Sequence, residues 1–150
     1  MKLSQIVKIA YKEAEKAEEK GEVPVGAVIF NDKSIISKAH NLVIYNKDPL
    51  AHAEILAIKK AVSKINKVDL KGFKIYSTLE PCLFCYSAIS MYFINAIYFG
   101  AYDNSREDQE FGKLLDNKRI IGSRPEIYGG IGEEKCSQMI KNFFKKIRKN

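Results

Sequence analysis

Residues 25–39 read VGAVIFNDKSIISKA, and this stretch decides how the chain is organised. Val25 to Phe30 is apolar and partly β-branched, which predicts a buried strand. Asn31, Asp32 and Lys33 form a turn, and Ser34 to Ala39 returns as a second strand, so the pair reads as a hairpin. Upstream, residues 4–20 place Ile6, Val7, Ala10, Ala14 and Ala17 on one helical face, and Gly21 stops that helix. Downstream, residues 41–51 read as a loop broken by Asn46, Asp48 and Pro49. His52 to Lys64 predicts a helix with Ile55, Leu56, Ile58 and Val62 mostly inward. Lys74 to Thr78 follows as a strand, Pro81 opens a helix running to about Phe93, and Ala96 to Gly100 is a fourth strand. Residues 103–125 read as a loop with a short helix around Phe111 to Leu115. Glu126 to Tyr128 is a short fifth strand, and residues 133–148 form a last helix. After the hairpin, strands and helices alternate. That order predicts a single α/β domain over residues 1–150, with a mixed five-stranded sheet, partly parallel, between layers of helices.

The bulk composition bounds the function. With 46% hydrophobic and 29% charged residues the chain is an ordinary folding sequence, and no apolar run is long enough to cross a bilayer. Met1 to Ala10 mixes Lys2 and Lys8 with apolar residues and has no cleavage-site pattern, so it reads as the start of a helix. A cytoplasmic location with no membrane partner is the expectation. Three cysteines, an odd number without a secretory signal, argue against a disulfide framework. Cys136 falls in the last helix, where a buried inert thiol is expected. The net charge of +7 is concentrated: residues 141–150 carry five basic and no acidic side chains, and residues 59–74 carry six lysines against one aspartate. Such segments contact phosphates or are simply solvated helix faces. Lysine outnumbers arginine 21 to 4, a bias that an A+T-rich genome produces, so lysine abundance by itself identifies no ligand.

The chemistry lies in His52-Ala53-Glu54 and Pro81-Cys82-Leu83-Phe84-Cys85. Alone, the histidine is a cap or surface residue, and the cysteine pair is a redox couple or half of a structural zinc site. A four-ligand structural site would need a further side chain, from His40 or Cys136. His40 lies at a strand end, where a surface role is expected. Three protein ligands, His52, Cys82 and Cys85, instead leave the fourth tetrahedral position open to water, the arrangement of catalytic zinc. Both motifs open helices. Pro81 suits a first helical turn, and the unpaired N–H groups of that turn favour cysteine thiolates. Two thiolates neutralise the ion and make it less acidifying, so a nearby carboxylate is needed to carry the proton. Glu54, two residues after His52, is the candidate acid/base.

Together the two motifs resemble the signature of zinc-dependent nucleobase deaminases, H-x-E followed by P-C-x-x-C, in which the glutamate is not a ligand. Further segments resemble the bacterial tRNA-specific adenosine deaminase family almost end to end. They are residues 21–28 (GEVPVGAV), Asp48-Pro49, residues 51–58 (AHAEILAI), residues 77–82 (STLEPC), Phe99-Gly100-Ala101 with Asp103, and Phe143-Phe144. The resemblance implies a cytidine-deaminase-like three-layer αβα fold, a homodimer and one Zn²⁺ per subunit. It also implies inosine formation at the first anticodon position of an arginine tRNA, so the partner is a tRNA anticodon stem-loop. It assigns Asn41 to the flipped base, Asp103 to a substrate contact, and Val23 and Ala53 to the base pocket. Phe143, Phe144, Lys145 and Arg148 match the part of the terminal helix that approaches the anticodon loop, where rings stack on bases and cations bind phosphates. Amphipathic packing is an equal expectation for one of the two rings. Glu80 is expected to serve its own helix terminus. The chain departs from the family at Tyr86, where a small residue is usual, at residues 92–95, which lack an arginine, and at residues 104–110, which are acidic and lack a glycine.

Two other functions share some of these features. A free-base or nucleoside deaminase, acting on guanine or cytidine, has the same metal site without an RNA surface. A non-catalytic RNA-binding protein that keeps zinc for folding has no need of Glu54.

Overall fold

The strand read first, β1 (Gly26–Phe30), lies between two neighbours and is buried along its whole length. The structure is a computed structural model that describes residues 2–104 and 122–149. The described elements run α1 (Leu3–Glu19), β1, β2 (Ile35–His40), α2 (Ala53–Ile65), β3 (Lys74–Leu79), α3 (Leu83–Met91), β4 (Ala96–Ala101), β5 (Glu126–Tyr128) and α4 (Glu133–Lys149). The five strands form one sheet in the order β2-β1-β3-β4-β5. The hairpin β1–β2 is antiparallel with Gly26 opposite His40, and β1 is also antiparallel to β3 with Ala27 opposite Ser77. β3 and β4 are parallel, Leu79 opposite Ala101, and β5 is parallel to β4. The helix around Phe111 to Leu115 and the acidic stretch 105–110 lie outside the described residues.

Strand alternation sorts side chains to the two faces. Ala27, Ile29 and Ile75 point into a core built with Ala57, Ile58 and Ala61 of α2 and Ile89 of α3. Val28, Phe30 and Tyr76 point the other way, against Ile6 and Ala10 of α1. The α4 layer joins on that second side, where the Tyr76 hydroxyl donates to the Ile131 carbonyl and lies beside Cys136. The result is the expected three-layer αβα sandwich. Two glycines permit the close approaches: a Cβ on Gly26 would fall 2.0 Å from the Ala10 carbonyl oxygen, and one on Gly100 would fall 2.7 Å from the Cys136 sulfur. Cys136 is buried, in keeping with its expected inert role.

Two local expectations need correction. The third helix begins at Leu83, with Cys82 as its extended N-cap residue and Pro81 ahead of the helix. It ends at Met91 rather than Phe93, because Phe93 takes a left-handed backbone conformation (φ 59°) that stops the helical run. His40 is partly exposed at the strand end, as expected, but it is also tied to α1: its Nδ1 lies 3.1 Å from Glu13 and its Nε2 lies 3.0 Å from the Lys20 ammonium. The strand end packs against α1, which supplies both partners.

Candidate active site

The pairing directions bring four chain segments to one end of the sheet. β2 ends, β1 begins, and β3 and β4 both end there. Val23, Val25, Asn41, Leu79 and Glu80 therefore converge with the start of α2. They line a cavity of about 360 Å³ together with His52, Ala53, Glu54, Cys82, Phe143 and Phe144. Sites at the carboxyl ends of parallel strands are the rule for open α/β sheets.

His52 is the N-cap residue of α2, yet its side chain makes no capping bond there. Its ring turns toward α3 instead, with Nδ1 3.2 Å from the Cys85 sulfur and 3.7 Å from the Cys82 sulfur. The Phe84 ring packs against it in a T-shaped contact, centroids 5.9 Å apart. Cys82 caps α3 through its sulfur, which accepts from the Cys85 backbone N–H at 3.4 Å. The three ligand atoms lie within 4.8 Å of one another. A tetrahedral zinc with ordinary bond lengths sets N···S near about 3.6 Å and S···S near about 3.8 Å, so this donor set fits the ion. Zinc is the cofactor of the site. Among the described residues no other cluster of metal-ligating side chains comes together.

Electrostatics divides the two thiols. The hydrogen bond with Cys85 holds Cys82 down to about 3, with burial opposing and His52 helping. The same hydrogen bond, reinforced by burial and by the Glu54 charge, pushes Cys85 up. Glu54 sits one residue into α2 and is 4% exposed. Burial raises its carboxyl above the usual range, against a lowering hydrogen bond with Cys85. Ser77 of β3 donates its hydroxyl to Glu54 Oε1 at 3.4 Å.

The other candidates separate into three groups. Val23, Asn41, Ala53, Phe143 and Phe144 line the cavity with the ligands and Glu54. Asp103 and Arg148 line an adjacent cavity of about 440 Å³, which shares Val23, Leu79 and Phe144 with the first. Lys145 lies apart from both, in a groove beside Glu15, Glu18 and Glu19 of α1. Of the two rings, Phe143 is buried and Phe144 is half-exposed, packed edge to face at 5.3 Å. Glu80, expected to serve its own helix terminus, also accepts from the Asp103 backbone N–H at 3.0 Å and so ties the end of β4 to the end of β3. Tyr86 fills the core beside α2, so the larger residue is accommodated inward.

Sequence reasoning passes over two carboxylates here. Glu22 is 1% exposed, and its two oxygens accept from the Ile44 and Tyr45 backbone N–H groups at 2.9 and 2.8 Å. Glu13 is buried between Lys16 and His40. The available signal for Glu22 is its position, a charge directly ahead of the apolar run entering β1.

Comparison with known proteins agrees with this geometry. The family model described as the cytidine and deoxycytidylate deaminase zinc-binding region matches residues 1–101. The tRNA-specific adenosine deaminase of Aquifex aeolicus is 42% identical over 145 residues, covering 96% of this chain and 95% of its own. A structure from studies of A-to-I editing by tRNA:A34 deaminases superposes with a TM-score of 0.84 at 32% identity, over 91% of this chain and 99% of that one. The guanine deaminase of Bacillus subtilis superposes less closely, with a TM-score of 0.66 at 28% identity over 100% of this chain and 96% of that one. The chain belongs to the zinc-binding cytidine and deoxycytidylate deaminase family and, within it, to the tRNA-specific adenosine deaminases.

Proposed function

We propose that this chain hydrolyses adenosine to inosine at the first anticodon position of tRNA, with an arginine tRNA as substrate. The observation that carries this reading is Glu54, a deeply buried carboxylate lining a cavity beside three atoms spaced to hold zinc. His52, Cys82 and Cys85 would hold the zinc, which would supply Lewis-acid activation of water. Glu54 takes a proton from the attacking water, protonates the adenine ring at N1, and passes a proton to the amino group leaving C6. Adenosine and water thus become inosine and ammonia. Its burial beside the ligands keeps Glu54 within reach of both the water and the base, where it can accept a proton and return it. Ser77 orients the Oε1 oxygen.

In this reading Asn41 hydrogen-bonds the base while Val23 and Ala53 enclose it. Phe144 offers its exposed ring to a neighbouring base and Phe143 supports that ring from below. Asp103 contacts the substrate from the end of β4, and Lys145 and Arg148 attract phosphates. The exposed apolar residues Leu83, Phe84, Met91 and Phe93 on and after α3 support a homodimer. No described helix is long and apolar enough to cross a membrane, and the reading places the enzyme in the cytoplasm as one domain.

The test is to incubate the purified protein with total tRNA and sequence the products. New inosine at the wobble base of an arginine tRNA is the expected result. Conversion of free guanine or cytidine with untouched tRNA would overturn the reading.

A further inference from the structure

The buried carboxylate of Glu22 has no part in the proton transfers above. It is nonetheless 1% exposed with each oxygen committed to a backbone N–H, Ile44 at 2.9 Å and Tyr45 at 2.8 Å. Burying a carboxylate is costly unless it is well bonded, so this one must fix something. What it fixes is the turn after β2. The turn carries two large apolar side chains outward, Ile44 at 66% and Tyr45 at 74% exposure. Ile44 lines the same cavity as Glu54, across from Phe144 and Ile147 of α4, which are themselves exposed. The Lys20 ammonium lies 5.8 Å over the Tyr45 ring and adds positive charge at this edge. Exposed aliphatic surface at the base-sized cavity, an exposed ring on the next residue of the same turn and a lysine beside that ring match what single-stranded RNA needs: faces for stacking and charge for phosphates.

We propose that Glu22 is a positioning residue that holds Tyr45 as a stacking platform for the nucleotide next to the target base. The proposal rests on the RNA-deaminase reading above and adds a residue that selects the RNA context of the reaction. The carboxylate clamps the turn, the turn presents the ring with Lys20 over one face, and the ring gains a stacked base only when the substrate is a strand rather than a free nucleoside.

The test is a fluorescence-anisotropy titration of a fluorescein-labelled anticodon stem-loop RNA with the zinc-loaded protein, in a Glu54→Gln background so that the RNA is not converted. Tyr45→Ala is expected to weaken binding by about fivefold or more, the lower end of what one base–aromatic stack is worth. Tyr45→Phe should bind like the parent. Glu22→Gln should weaken binding comparably, and adding Glu22→Gln to Tyr45→Ala should cost little more, since both remove one platform. Amide hydrogen exchange on the unsubstituted protein reads the clamp without any variant: the Ile44 and Tyr45 amides should be protected although their side chains are exposed. Equal affinity of Tyr45→Ala and Tyr45→Phe would overturn the platform, and fast exchange at both amides would overturn the role of Glu22. Failure of the wild-type protein to deaminate the same RNA would instead refute the proposed function, a separate outcome.

Discussion

Glu54 and Glu13 are both 4% exposed, but one sits at the active end of the sheet and the other in the seam between α1 and β2. In the seam, burial alone would raise Glu13. The Lys16 ammonium at 2.7 Å and the His40 ring at 3.1 Å more than offset it and hold the carboxyl below the usual range. At the active end, no lysine or arginine among the described residues pairs with Glu54, and burial raises it. The seam uses a carboxylate to fasten an α-helix to a strand. The site keeps one without a lysine or arginine partner among the described residues, beside the three atoms spaced for zinc, which costs stability when no metal is bound.

Substitutions at Cys82, Glu13 and Glu54 sharpen that contrast. Cys82→Ala removes a ligand and the N-cap sulfur of α3 together. The expected outcome is loss of bound zinc, read by metal analysis, and loss of all turnover. Glu13→Gln should leave turnover per folded molecule unchanged and lower unfolding stability by about 1–3 kcal/mol in denaturant titrations, since His40 and Lys16 both lose a charged partner. The lower part of that range is expected because Lys16 is 51% exposed and its bond is screened. The smallest effect is in the acid limb of the stability profile. A depressed Glu13 contributes stability above its unfolded value, near about 4.3, and loses it as pH falls through its lower folded value. Glu13→Gln should therefore flatten that limb. Glu54 has the opposite sign: its raised carboxyl costs stability as pH climbs past the unfolded value, so Glu54→Gln should stabilise the zinc-stripped protein at neutral pH. A steeper acid limb in Glu13→Gln would break the comparison.

The sequence makes these two regions legible to different degrees. The metal ligands and Glu54 fall in two short motifs whose residue types and spacing carry their chemistry, so the site can be read directly. The hairpin and the alternation of strands with helices give the αβα class. The strand order β2-β1-β3-β4-β5 comes from non-local pairing that no local pattern specifies. Glu13 and Glu22 are hidden for the same reason. Glu13 meets His40 at a separation of 27 residues, and Glu22 meets backbone N–H groups 22 and 23 residues away, which have no sequence signature at all. The cap at Cys82 escapes because sulfur is not an ordinary N-cap acceptor, and a proline just ahead reads as a helix start.

In the proposed function three residues hold zinc and a fourth, Glu54, moves protons. The most direct measurement is single-turnover deamination of the anticodon stem-loop by Glu54→Gln, with zinc content and RNA affinity determined on the same sample. Zinc and RNA binding like the wild type, with turnover reduced by about 10²-fold or more, is the predicted result. Undiminished turnover at full zinc occupancy would contradict it.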